Sequence, residues 1–115
     1  MSETKPSEIY SAEDYIANVP AGDKDFEGEP VPNGKVAYIE TLIVIDLTTA
    51  AKTIRLGYKR GGSTYWLKRE TVGAAVYGLS LDRPLILAEG EYPVARIETA
   101  TVNDDCYFHA RGRYL

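Results

Sequence analysis

The sequence predicts an all-β fold: an antiparallel β-sandwich, jelly-roll-like, preceded by an extended acidic N-terminal arm. Three observations carry that expectation. Apolar and polar residues alternate in short runs spaced roughly ten residues apart. Gly, Pro, Asn or Asp closes each run, and no stretch after residue 30 keeps a helical period. The chain has 115 residues, one domain's worth, and a chain of that size buries about two thirds of its unfolded surface.

Residues 1–30 read as the arm and residues 31–115 as the sandwich. The arm sets eight acids against two lysines, a net −6, whereas the remainder sets eleven basic residues against nine acids, a net +2. An acidic leader of this kind argues against nucleic acid as its partner. Its sizeable apolar residues are Ile9, Tyr10, Tyr15, Ile16, Val19 and Phe26. Tyr15, Ile16 and Val19 have one turn of helical spacing, but Pro20 ends anything that begins there. A short edge strand or an extended arm fits as well. So few apolar residues hold no core, so the segment must lie on the body, lie on a neighbour or stay mobile. Ile9, Tyr10, Tyr15, Ile16 and Phe26 are therefore candidate partner contacts.

Residues 36–47 form the longest run, with Ile39, Thr41, Ile43, Ile45 and Leu47 on one face and Tyr38, Glu40, Leu42 and Val44 on the other. Both faces turn apolar in its second half, which predicts cover on both sides there. Residues 53–60 alternate, with Ile54, Leu56 and Tyr58 inward. Gly61 and Gly62 supply the positive φ of a tight hairpin, and residues 64–69 return. Residues 71–80 are rich in small side chains, and Gly73 and Gly78 favour a strand over a helix. Residues 84–88 are a compact apolar run, residues 89–92 a turn, and residues 93–100 a strand. Asn103, Asp104 and Asp105 turn the chain into a last strand, which puts Cys106, Phe108, Ala110, Gly112 and Tyr114 opposite Tyr107, His109, Arg111 and Arg113.

Composition excludes several classes. One cysteine allows no internal disulfide. The first ten residues are polar, unlike a signal peptide, and no apolar run approaches bilayer length. Tyrosine is over-represented, nine against two Phe and one Trp, and its amphipathic ring suits half-buried strands and interfaces.

Catalytic chemistry is not evident. Cys106 and His109 lie three apart, and odd spacing in a strand sends them to opposite faces, so they form no nucleophile pair. One Cys and one His do not make a zinc site. Gly61-Gly62 lacks the following helix that a phosphate loop needs. Glu89 with Glu91, and Asp104 with Asp105, read as acids of exposed turns. Glu40 and Glu98 lie mid-strand, within reach of Arg55, Arg96 or Arg111. Lys59, Arg60, Tyr65, Trp66, Lys68 and Arg69 cluster about the hairpin, and a protein contact or packing role is favoured over ligand stacking because Tyr65 and Trp66 face opposite ways. Arg60 and Trp66 join the candidate partner contacts. No catalytic residue, cofactor or metal is expected.

The segments YIETLIVID (residues 38–46), IRLGYKRGGSTYWL (residues 54–67) and RPLILAEGEYPVARIETATVNDDCYFHARGRYL (residues 83–115) follow one another in an order seen elsewhere. In that order the chain resembles small virion structural proteins of tailed bacteriophages, over about three quarters of its length. The resemblance implies a capsid decoration (cement) protein, or another head or tail connector component, present in many copies. It implies the major capsid protein and copies of itself as partners, a homo-oligomer (trimer or other), no nucleic acid or membrane contact, and a place on the virion's capsid surface after synthesis in the host cytoplasm. A carbohydrate-binding module using Trp66, Tyr58 or Tyr107 is the alternative.

Overall fold

The computed structural model describes residues 9–115. It holds nine strands: β1 (Ile9–Ile16), β2 (Gly22–Glu27), β3 (Ala37–Asp46), β4 (Thr53–Arg60), β5 (Ser63–Thr71), β6 (Gly78–Ser80), β7 (Leu85–Leu87), β8 (Tyr92–Ala100) and β9 (Cys106–Tyr114). The first sheet runs β1-β9-β3, with β6 and β7 sharing the far edge of β3, and the second runs β2-β8-β4-β5. All pairings are antiparallel. The chain changes sheet at every connection except the β4–β5 hairpin and the β6–β7 link. The all-β sandwich expected from the alternation is what the chain forms.

The two inner faces meet over Ile39, Leu42, Val44, Ile54, Leu56, Ile97 and Phe108, all fully buried. Phe26 from β2 stacks on Phe108 from β9 at 5.8 Å between centroids, bridging the sheets. Burying an aromatic of this size is worth about 1.5–3 kcal/mol.

The leader departs from the arm expected over residues 1–30. Its first eight residues lie outside the described ones, and the rest is built into the body. β1 pairs with β9 over its whole length, from Ile9↔Arg113 to Ile16↔Cys106. β2 pairs with β8, from Gly22↔Ala100 to Glu27↔Val94. Tyr10 and Phe26 are each 1% exposed, and Val19 between them is also buried. Tyr10 even satisfies its hydroxyl, donating to the Glu29 carbonyl at 2.7 Å. An edge strand needs only alternate apolar residues on one face, and this segment supplies them.

Three register shifts interrupt the ladders; one lies between Gly22 and Lys24 where β2 meets β8, and the other two are bulges on β3 and β5. On β3 the extra residue is Glu40, because Ile39 faces Gly112 while Thr41 faces Arg111. Before it the odd positions Ala37 and Ile39 point inward; after it the even positions Leu42, Val44 and Asp46 do. The single face predicted through Ile39, Ile43 and Ile45 is therefore split, with Ile43 and Ile45 turned outward. On β5 the extra residue is Leu67, since Leu56 faces Lys68 and Gly57 faces Trp66. The bulges on β3 and β5 each press on a glycine of the partner strand. A Cβ on Gly112 would lie 2.8 Å from Ile39 Cα, and one on Gly57 2.9 Å from Trp66 Cα, closer than side chains allow.

The hairpin at Gly61 and Gly62 forms as expected, with φ of 54° and 86°. The strand expected over residues 71–80 shrinks to β6. A turn closed by Val76 N–H donating to the Gly73 carbonyl occupies what precedes it.

Candidate partner-binding surfaces

The outer face of the second sheet is a charged layer around one ring. Asp25, Arg96, Arg55 and Arg69 form a row across all four strands. Trp66 lies beside it, opposite Gly57, which in turn faces Val94. The guanidinium carbons of Arg96 and Arg55 stand 5.3 and 5.8 Å from the Trp66 ring centre. Arg96 donates to Asp25 at 2.6 and 3.0 Å. Arg55 and Arg69 converge on Glu98 at 2.8 and 2.7 Å, and Lys59 reaches Glu27 at 2.9 Å. Hydrogen bonds first from Arg69 and then from Arg55 hold the Glu98 carboxyl down to about 2, and Arg96 lowers Asp25. Asp25, Glu27 and Glu98 each have a cation, while Asp23 accepts the Thr99 N–H at 2.9 Å.

The outer face of the first sheet is different. Its rows read Tyr15, Tyr107, Ile45; then Glu13, His109, Ile43; then Ser11, Arg111, Thr41; then Ile9, Arg113, Tyr38, Ile86. Tyr15 is 58% and Ile86 63% exposed. Ile9, Tyr38, Ile43, Ile45 and Tyr107 are half-buried, and neither sheet lies over them. His109 sits within 3.2 Å of Glu13 and 3.3 Å of the Tyr107 hydroxyl. Arg113 reaches Glu40 at 2.5 Å and lies 4.7 Å from the Tyr38 ring centre. Arg111 makes no ion pair among the described residues.

The seven residues expected to touch partners are thus scattered. Tyr10 and Phe26 are core, and Ile16 packs against the core from the inner face, so these three are not surface contacts. Ile9 and Tyr15 share the first outer face, while Trp66 lies on the opposite one. Arg60 sits at the hairpin end, over Tyr58 and Tyr65 and paired with Glu91. The basic cluster expected around the hairpin is neutralised: Lys59, Arg60 and Arg69 have acid partners, and Lys68 donates to the Ser80 carbonyl at 3.0 Å. Ile43, Ile45, Tyr38 and Ile86 were not singled out as contacts. The signal for Ile43 and Ile45 was the strand apolar on both faces.

Two expectations about acids change. Glu91 is buried rather than exposed: it accepts the Ala88 N–H at 2.6 Å and binds Arg60. Burial pushes its carboxyl up, but these partners outweigh that and leave it below its ordinary value. Asp104 is buried too. Glu98 takes Arg55 as expected, and Arg69 besides. Cys106 and His109 lie on opposite faces, as spacing required; burial pushes the Cys106 thiol up to about 12, so it is no nucleophile. Among the described residues, no three His, Cys, Asp or Glu side chains gather to hold a metal ion. No helix among them is long and apolar enough to cross a membrane.

No protein-family model matches the chain, and no curated protein matches it. Among solved structures, the Drosophila NLP-core, described in terms of pentamer formation and histone binding, is 9% identical. The match covers 94% of this chain and 98% of that one at a TM-score of 0.42. A likeness of that size says nothing about this chain's partners.

Proposed function

We propose that this protein is a structural module that binds protein surfaces, and that it serves as a decoration protein on a phage head. Its partners in this reading are the major capsid protein and copies of itself. The observation that carries the binding role is the outer face of the first sheet, where Tyr15, Tyr107, Ile45 and Ile43 lie together at one end and Ile9, Tyr38 and Ile86 at the other, across the polar row of Ser11, Arg111 and Thr41. Exposed apolar and aromatic groups rimmed by polar ones mark an interaction site on a folded domain, and Tyr is among the residues enriched there. The virion role is supported by the order of the turn-and-strand segments noted in the sequence. A shell of many copies converts a weak contact into firm retention. A head or tail connector component would use the same face. Sugar stacking on Trp66 is disfavoured, because two guanidinium groups already lie against the ring.

Deleting residues 1–30 is not a usable test, because it removes an edge strand from each sheet. Point substitutions on the exposed face are. Purified protein is expected to run above monomer mass in solution, or to co-sediment with expanded phage capsids lacking their decoration protein. A strict monomer that binds no capsid overturns the proposal.

A further inference from the structure

The end of the sandwich where β1 crosses over to β2 contains two buried carboxyl groups with no cation. Asp46, the last residue of β3, is 0% exposed, and Asp104, in the turn before β9, is 3% exposed. Asp46 uses one oxygen well: Oδ1 accepts the backbone N–H of Thr48 at 3.0 Å and of Thr49 at 2.8 Å. Its Oδ2, and Oδ2 of Asp104, are both buried with no donor. The backbone brings the two side chains to one joint, since Asp46 stands in register with Cys106, two residues beyond Asp104, and Leu47 N–H donates to the Asp105 carbonyl at 2.7 Å. Two carboxylates so placed repel, and a buried acceptor left without a donor is destabilising.

The surroundings offer no relief. From β9 comes the Cys106 thiol, and from the turn Asp105, whose Oδ1 already accepts the Asn18 N–H at 3.1 Å. From β1, Tyr15 feels the Asp105 charge, and from β2, Lys24 acts on Cys106. Lys52, in the β3–β4 loop, spends its amine on the Thr99 carbonyl and Thr101 hydroxyl. Among the described residues, no metal-binding cluster forms. One hydrogen between the two carboxyls satisfies both orphan oxygens at once.

We propose that Asp46 and Asp104 share a single proton in the folded protein, which makes this joint a latch that acid tightens and alkali loosens. The latch fastens the crossover. Val19 N–H donates to the Asp104 carbonyl at 2.9 Å, Asn103 N–H to the Val19 carbonyl at 2.8 Å, and Leu47 N–H to the Asp105 carbonyl at 2.7 Å. Burial first, and then Asp104, raise the Asp46 carboxyl above the ordinary aspartate range. A carboxyl raised on folding stabilises most below its unfolded value, and that stability is lost as pH rises through the folded one.

Carboxyl-carbon NMR titration of the intact protein tests this without any variant. One of the two resonances is expected to stay protonated above the ordinary aspartate range. In Asp104→Asn, whose amide supplies a permanent hydrogen, Asp46 should lose that late titration, and the variant should gain thermal stability relative to the parent as pH rises. Two ordinary titrations overturn the proposal. So does an Asp46 titration unmoved in Asp104→Asn, or stabilisation by added Ca²⁺ that either Asp→Asn change abolishes.

Discussion

The two outer faces of the sandwich are built from the same kind of antiparallel strands and serve opposite ends. On the second sheet Asp25, Glu27 and Glu98 each find a guanidinium or ammonium group, and the one large ring is clamped between arginines. That face has little left to offer another molecule. On the first sheet, isoleucines and tyrosines stand in the open, and Arg111 has no partner among the described residues. The difference teaches where to look for binding: groups left unsatisfied are what single out the first face in the proposed reading, whatever the residue types. Aromatic and basic residues near a hairpin looked more promising in sequence than they are in space.

The comparison can be broken from either side. Placing acids at Tyr15 and Ile86 together (Tyr15→Glu, Ile86→Glu) forces two charges into any contact made there. Partner binding or self-association should fall about 100-fold, near 3 kcal/mol, measured by sedimentation. The urea midpoint should change little, since exposed substitutions cost within about 0.5 kcal/mol. Trp66→Ala should behave in the reverse way. It uncovers the strand pair beneath and removes the surface on which Arg55 and Arg96 rest, a loss of about 1–2 kcal/mol by denaturation, while association is unaffected. A binding defect in the Trp66 variant with none in the double variant would exchange the roles assigned to the two faces.

The smallest effect sharpens the picture of the paired face. The Glu98 carboxyl is held at about 2 against an ordinary 4.5. A carboxyl lowered on folding adds stability above its unfolded value, and that contribution disappears as pH falls toward the folded one. Parent protein should therefore lose thermal stability between those two pH values. Glu98→Gln should show a shallower decline over the same interval, and added salt should narrow the gap between them.

Much of the sandwich was legible beforehand. The hairpin at Gly61 and Gly62 carries its turn chemistry locally, and β4 announces itself by its alternation, with β8 and β9 set off by the turns before them. β1 and β2 did not, because Tyr10, Val19 and Phe26 are isolated among acids and their partners lie some eighty residues away. The switch of faces on β3 was hidden for a related reason. Its cause is an extra residue, Glu40, accommodated only because Gly112 leaves space on a strand remote in sequence. That switch is what turns Ile43 and Ile45 outward, so the candidate surface was only partly readable. Asp46, Glu91 and Asp104 sit in or beside turns, where acids are normally solvated, and nothing local in the sequence distinguishes a turn folded under from one left in water.

The first two strands are completed by the last two. Until residues 106–114 exist, β1 has nothing to hold, and until β8 is placed, β2 has nothing either. The chain thus behaves as a ring fastened at a single clasp, and closing so large a loop must be met in entropy before any of its contacts give a return. Folding on the millisecond-to-second scale follows, with the rims of β8 and β9 bare in the meantime.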